Sequence, residues 1–205
     1  MSPTALEAWN QASFLLMTAG LTPDAMALGL AKALAQSAVT LVGLVLILGW
    51  VRGGRPVRFA LLDATASGLL GLSLAVGITQ IYDHPRPFAI GLGQLWIPHA
   101  ADASFPSDHG TLLFALAASL LISGHRLWAT GFLALGLGVA WARIYLGVHF
   151  PLDMIGAAAV AVCAAALVRA CGPVLRGRIY PVLGQIYEVA LVVLHLPARW
   201  FPRDL

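Results

Sequence analysis

Long apolar segments separated by short polar ones run through most of the chain. They are rich in Ala, Leu, Val and Gly, and the longer ones reach the roughly 20 residues that a helix needs to cross a bilayer. Small residues let helices pack closely in lipid, so this pattern predicts a bundle of membrane-spanning helices. The predicted spans are 24–51, 59–81, 108–123, 127–146 and 151–171.

The two ends of the chain follow a more polar pattern. The first 21 residues mix Trp9 and Phe14 with Glu7, which is too polar for a span and typical of a helix lying at the membrane interface. Residues 182–196 are short and hold Glu188, so we expect a shallow interfacial helix, with a sixth span as the alternative. The predicted organisation is one membrane domain over 1–205, with an interfacial helix over 1–23, a core of spans over 24–172 and the last helix, interfacial or a sixth span, over 182–197.

Composition supports an all-α, polytopic membrane protein of five or six spans. Hydrophobic residues make up 60% of the chain, only 10% is charged, and the mean hydropathy is +0.85, whereas soluble domains are about 25% charged. The net charge of +3 comes without a basic run, which argues against a nucleic-acid partner. Cys163 and Cys171 fit neither a zinc site nor a disulfide framework.

Positive charges predict the orientation of the spans. The positive-inside rule places the arginine-rich loops in the cytoplasm, so the segments 82–107 and 146–151 face outward. Only Arg86 and Arg143 lie on that outward side, next to polar clusters. The arginines of the cytoplasmic side are Arg52, Arg55, Arg58, Arg126, Arg169, Arg176 and Arg178.

The stretch ADASFPSDHG, residues 101–110, is the most polar in this apolar chain. Ser107 is a good N-cap for the apolar run behind it, so Asp108 and His109 fall in the first helical turn. Unpaired backbone N–H groups and the positive end of the helix dipole suit an anion such as phosphate there. A capped helix without a ligand is the alternative.

A further polar cluster precedes the last predicted span of the core. Pro151 is well placed as its first helical residue, which puts Asp153 in the first turn and His149 just ahead of it. A carboxylate in that position accepts the proton of one imidazole nitrogen and leaves the other nitrogen as a nucleophile.

Three clusters, in order and spacing, resemble the type 2 phosphatidic acid phosphatase family. Its signature is Lys, six residues, Arg-Pro; then Pro-Ser-Gly-His; then Ser-Arg, five residues, His, three residues, Asp. Among the branches of this family, the bacterial undecaprenyl-diphosphate phosphatases are the most similar to the segments HPRPF, HAADASFPSDHG and ARIYLGVHFPLDM. The matching positions are Arg86-Pro87, Pro106-Ser107-Asp108-His109, and Ala142-Arg143 with His149 and Asp153.

The resemblance implies an enzyme of the bacterial inner membrane with its site on the periplasmic or extracellular face. It would hydrolyse undecaprenyl diphosphate, hold the polyprenyl tail among apolar helices, recycle the carrier lipid for cell-wall peptidoglycan synthesis, and thereby confer bacitracin resistance. One alternative is the same chemistry on phosphatidylglycerophosphate, phosphatidate or diacylglycerol diphosphate. Another is a non-enzymatic metal-binding or transport protein that uses the histidines, namely His84, His99, His109 and His149.

The resemblance also assigns roles to residues. His149 attacks phosphorus to form a phosphohistidine, His109 protonates the leaving oxygen and later activates water, and Asp153 orients His149. No metal or cofactor is required. The residues expected to bind phosphate are Arg86, Ser107, Arg143 and the backbone N–H of Asp108.

The sequence departs from the family signature where the first lysine belongs, since Thr79 stands there. Gln80 lies next to it and could donate a hydrogen bond. Lys32 lies about 12 Å into the first span at 1.5 Å per residue, and an intramembrane lysine is costly unless paired or functional. We therefore hypothesise that Lys32 faces the pocket and helps to bind the second phosphate or to steady a carboxylate of the pocket, with snorkelling or pairing with another helix as the alternative.

Overall fold

The computed structural model describes residues 4–195, and this part of the chain is almost entirely helical, with no strand. The prediction of an all-α protein is confirmed. A short 3-10 helix, Pro87–Ile90, lies between the third and fourth α-helices, and a π-helical turn, Leu175–Ile179, joins the last two. The α-helices are α1 (Ala5–Met17), α2 (Ala25–Arg52), α3 (Arg55–Ile81), α4 (Asp108–Ile122), α5 (Arg126–Tyr145), α6 (Pro151–Val174) and α7 (Tyr180–Val193).

Helix α4 lies at the centre of the bundle, where it packs against α3, α5 and α6. It is only 15 residues long, or about 22 Å at 1.5 Å per residue, while α2, α3, α5 and the continuous α6–α7 helix are long and apolar enough to cross a membrane. Leu113, Leu116 and Leu120 of α4 are almost fully buried. The apolar surface of the bundle therefore belongs to the helices around α4.

Small residues set how closely the helices approach. On α2, Ala31, Ala35 and Ala38 recur at helical spacing and are buried, which forms a flat face that suits close packing in lipid. On α6, Gly156 lies against the ring of Phe105, and a Cβ at this position would overlap that ring. The loop before α4 is thereby packed directly onto α6.

The helix that begins at Pro151 continues through the π-helical turn to Val193. The predicted break after Cys171 is wrong, because a π-helical turn continues the helix, while the last helix predicted over 182–197 corresponds to α7 (Tyr180–Val193) in the described residues. Arg176 and Tyr180 both donate hydrogen bonds to Asp63 of α3. Pro173 and the neighbouring glycines disfavour a continuous helix, but these long-range hydrogen bonds to α3 hold the segment in place. Residues 196 and 197 lie outside the described part.

Helix α1 packs on the start of α6. The side-chain oxygen of Asn10 accepts a hydrogen bond from the backbone N–H of Leu152 at 3.0 Å, and Phe14 meets the ring of Phe150 edge-on with centroids 5.3 Å apart. The N-terminal helix is therefore fixed to the end of the bundle at which α4 and α6 begin.

Candidate active site

A cavity of about 480 Å³ opens at the end of the bundle where α4 and α6 begin. Its walls come from the end of α3, the 82–107 loop, the start of α4, the end of α5 and the turn before α6. The three polar clusters that were predicted to meet do line one cavity. Its polar and charged lining residues are Thr79, Gln80, Asp83, Arg86, His99, Asp102, Asp108, His109, Arg143 and His149.

His149 and Asp153 form a buried pair at the start of α6. Pro151 is the first residue of this helix, as predicted, and Asp153 lies in its first turn. The Oδ2 atom of Asp153 lies 3.2 Å from Nδ1 of His149 and accepts the backbone N–H of Phe150 at 2.8 Å. An ionised carboxylate only accepts hydrogen bonds, so Nδ1 of His149 carries the proton.

Arg86 lies on the other side of the same imidazole. Its Nη1 atom is 3.1 Å from Nε2 of His149, while its Nε donates to Oδ1 of Asp102 at 2.7 Å. Because a guanidinium has only donors, Nε2 of His149 is the acceptor and holds a lone pair. The geometry therefore fixes the tautomer that a nucleophilic histidine needs.

Burial keeps the His149 imidazole neutral. Desolvation lowers its pKa to about 4, although the hydrogen bond and charge of Asp153 act in the opposite direction. The neighbouring arginines lower the pKa further. His149 is therefore an unprotonated base at neutral pH.

Arg143, in the last turn of α5, has a donor without a partner. Its Nη2 lies 3.0 Å from Nε2 of His99, but its Nε is buried and has no hydrogen-bond partner among residues 4–195. A buried unpaired donor is costly. Since Arg143 lines the cavity, an anion bound there is a natural partner for it.

The 82–107 loop brings two residues to the cavity wall that no signature position contains. His99 faces Arg143, and burial lowers the pKa of its imidazole. Asp102 pairs with Arg86; burial alone would raise the pKa of this carboxyl, but the hydrogen bond and charge of Arg86 outweigh burial and hold it below its usual value. Both residues lie in the segment HAADASFPSDHG, which resembles the family branch, but the family signature assigns neither of them a role.

Two predicted phosphate ligands are not brought to the cavity wall. Ser107 is fully buried and caps α4, as predicted, with Oγ accepting from the backbone N–H of Gly110 at 3.3 Å, but it is not among the lining residues. Lys32 is also absent from the lining. The packed face of α2 runs through Ala31 and Ala35, and Lys32 lies one residue, roughly 100°, around the helix from Ala31. Gln80 does line the cavity.

The histidines do not assemble into a metal-ligand cluster. Among residues 4–195, no group of three or more His, Cys, Asp or Glu side chains is arranged to hold a metal ion. His84 points away from the cavity, toward Glu7 of α1 and Ser104. The metal-binding alternative therefore lacks a ligand set in this part of the chain.

Comparisons with known proteins agree with this architecture. The model of the PAP2 superfamily matches residues 59–176. YbjG of Escherichia coli (strain K12), which has a provisional undecaprenyl-diphosphatase name, is 38% identical over 154 residues, covering 74% of this chain and 76% of that protein. The undecaprenyl-diphosphatase BcrC of Bacillus subtilis (strain 168) is 36% identical over 128 residues, covering 62% of this chain and 65% of that protein.

A solved structure shares the fold. The crystal structure of Aquifex aeolicus LpxE superposes with a TM-score of 0.62 at 22% sequence identity, covering 79% of this chain and 95% of that chain. At this identity the similarity concerns the arrangement of helices.

Proposed function

The chain belongs to the PAP2 superfamily, and from this premise we propose that it is a membrane phosphatase that hydrolyses undecaprenyl diphosphate to undecaprenyl phosphate and inorganic phosphate. The observation that carries the proposal is the buried imidazole of His149, held between Asp153 and Arg86 with its Nε2 lone pair at the cavity. The undecaprenyl-diphosphatase names of relatives at 36% and 38% identity support this substrate.

In the first step, Nε2 of His149 attacks the terminal phosphorus and an N–P bond forms. The bond from phosphorus to the bridging oxygen breaks, and His109 gives a proton to that oxygen as undecaprenyl phosphate leaves. Arg86 now donates to Nε2 of His149, so its N–H must turn from this nitrogen to a phosphate oxygen as the substrate enters. Asp153 stabilises the positive charge that develops on the imidazole.

In the second step, water attacks the phosphohistidine. His109 takes a proton from the water, the N–P bond breaks, and inorganic phosphate leaves. Both steps place negative charge on the equatorial phosphate oxygens, so donors that are already in place lower the barrier. We assign this role to Arg86, to Arg143 with its unpartnered Nε, and to the backbone N–H of Asp108 at the start of α4.

We place the cavity on the periplasmic or extracellular face of a bacterial inner membrane. The opposite end of the bundle carries the arginine-rich loops, which the positive-inside rule assigns to the cytoplasm. A site on the outer face meets the lipid diphosphate that remains after the carrier lipid has delivered its cargo. Its hydrolysis would recycle this lipid for cell-wall synthesis and lower the sensitivity to bacitracin.

The test is phosphate release by the protein purified in detergent. We expect the highest kcat/KM with undecaprenyl diphosphate in a panel that includes phosphatidylglycerophosphate, phosphatidate and diacylglycerol diphosphate, and no loss of rate with EDTA. A preference for another lipid would replace the substrate but keep the chemistry. A protein that releases no phosphate from any of these lipids would contradict the proposal.

A further inference from the structure

A line of hydrogen-bonding groups leads away from the nucleophile on the side opposite the cavity. Oδ1 of Asp153 lies 3.4 Å from the hydroxyl of Ser104, and this hydroxyl lies 2.8 Å from Nδ1 of His84. Nε2 of His84 in turn lies 3.3 Å from Oε2 of Glu7 in α1. The line thus connects His149 to the N-terminal helix.

Counting protons along this line gives two states. Ser104 has one hydroxyl hydrogen, and if it donates this hydrogen to Asp153, its oxygen must accept one from Nδ1 of His84. With Nδ1 of His84 as the donor, the Ser104 hydrogen is left for Oδ1 of Asp153 or for the carbonyl oxygen of Pro85, which also lies 3.4 Å from the hydroxyl. A ring with its only hydrogen toward Glu7 instead draws the Ser104 hydrogen to Nδ1, and Oδ1 of Asp153 then loses its donor.

We propose that His84 is a positioning residue for the His149 nucleophile, acting through Ser104 and Asp153. Its Nδ1–H donates to the Ser104 oxygen and directs the Ser104 hydroxyl onto Asp153, while Glu7 lies against the other ring nitrogen. The inference rests on the proposed function, since it assumes that His149 attacks phosphorus. Neither His84 nor Ser104 lines the 480 Å³ cavity, whereas His84, Glu7 and Asp153 line a separate cavity of about 810 Å³ beside α1. Both residues lie outside the cavity that holds the attacking nitrogen, so we expect them to affect kcat more than KM.

The surroundings of His84 fix the position of its ring. The charged groups that face it are Glu7 from α1 and Asp153 from α6, whose Oδ1 lies 3.9 Å from Nδ1. Tyr82 stacks on the ring with centroids 5.8 Å apart, and Phe150 meets it edge-on at 5.4 Å.

Helix α1 thereby becomes part of the site. The amide nitrogen of Asn10 lies 3.4 Å from Oε2 of Glu7, and Gln11 donates to Oε1 of Glu7 at 2.8 Å. Asn10 also accepts the backbone N–H of Leu152 in the first turn of α6. The helix that holds Glu7 against His84 is therefore fixed to the helix that carries Asp153.

The experiment measures kcat and KM for phosphate release from undecaprenyl diphosphate at one fixed neutral pH. The variants are S104A, H84A, H84N and E7Q. The amide of H84N reaches the position of Nδ1 and can donate to Ser104, whereas the methyl group of H84A cannot. H125Q and E188Q, at the opposite end of the bundle and on exposed α7, control for loss of a histidine or a glutamate.

We expect S104A to lower kcat about tenfold, the effect of one lost hydrogen bond, with KM within about twofold of the wild-type value. H84A lowers kcat by a similar factor, because no donor then turns the Ser104 hydroxyl toward Asp153, and H84N restores kcat to within about threefold of the wild-type value. E7Q keeps a polar group against the ring and lowers kcat less than H84A does. The two control variants keep the wild-type kcat and KM.

Thermal unfolding of each variant separates positioning from stability, since a merely structural role lowers the melting temperature without a loss of kcat in the folded H84A protein and its recovery in H84N. Wild-type kcat in S104A and H84A, together with an inactive H149A protein, would overturn the inference and leave the proposed function intact. If S104A fails to fold, the kcat values of H84A and H84N decide. An H149A protein as active as the wild type would overturn the proposed function and this inference with it.

Discussion

The two ends of the bundle both bury charged side chains, but they use them differently. At the end opposite the cavity, Asp63 accepts hydrogen bonds from Arg176 at 2.7 Å and Tyr180 at 2.6 Å. Arg58 there is fully buried, donates to the carbonyl of Trp50 at 2.9 Å and lies against the rings of Trp50 and Tyr187. These charges have found partners within the fold, so they hold helices together.

At the cavity end, charged groups remain available to a ligand. Arg143 has a buried Nε without a partner among the described residues, and His149 keeps a lone pair that faces the guanidinium of Arg86 at the cavity. Leaving donors unpaired costs stability, and functional sites are where such a cost is retained. A buried charged side chain therefore indicates a ligand-binding site when some of its hydrogen-bonding groups have no partner inside the protein.

Removing the nucleophile sharpens this contrast most. We expect His149→Ala to lower phosphate release by at least about 10⁴-fold, as loss of a nucleophile does in other enzymes. The substitution also removes a buried ring and the partner of Asp153, so we expect the melting temperature in detergent to fall while the protein still folds. Phosphate release and thermal unfolding measured on one preparation test both statements. Substantial activity in the purified variant would remove His149 from the mechanism.

Arg143→Ala is expected to have the next largest effect. Loss of a donor that stabilises charge in a transition state typically costs about 10²- to 10³-fold in rate. Because its Nε has no partner to lose, we expect only a small drop in melting temperature. An Arg143→Ala protein that unfolds readily but turns over at the wild-type rate would place Arg143 with the structural charges of the opposite end.

Asp63→Asn probes the opposite end and reverses the pattern. It removes the charge that Arg176 and Tyr180 share, and we expect the free energy of unfolding to fall by about 1–3 kcal/mol, toward the low end because Arg176 is partly exposed to solvent. The kcat of the folded variant stays at the wild-type value. Thermal unfolding and phosphate release measure the two effects, with E188Q on exposed α7 as the control. A loss of kcat without a loss of stability would break the comparison.

Local spacing explains what the sequence could predict. The Ser107 cap, the start of α6 at Pro151 and the meeting of His149 with Asp153 depend on a few consecutive residues whose geometry any helix start imposes. The meeting of the three polar clusters in one cavity could also be predicted. Successive spans place every second loop on the same side of the membrane, so these loops share one end of the bundle. These features needed no knowledge of how the helices pack.

Packing between distant segments explains what the sequence could not predict. The rotation of α2 that keeps Lys32 out of the cavity wall is set by how Ala31 and Ala35 pack, and the contact of Glu7 with His84 joins residues 77 positions apart. The continuation of α6 into α7 depends on Asp63, which lies 113 residues before Arg176. No local pattern encodes such contacts.

The smallest expected effects distinguish two candidates for the role of the missing signature lysine. Gln80 lines the cavity from the last turn of α3, so Gln80→Ala should raise KM about three- to tenfold through the loss of one hydrogen bond to the diphosphate. Lys32 does not line it, so Lys32→Ala should leave kcat/KM within about twofold of the wild-type value. Kinetics with undecaprenyl diphosphate on both variants decide between them. If Lys32→Ala lowers kcat/KM more than Gln80→Ala does, the lysine of α2 must turn toward the bound diphosphate. The donors that the cavity end offers to a ligand would then include one from inside the membrane.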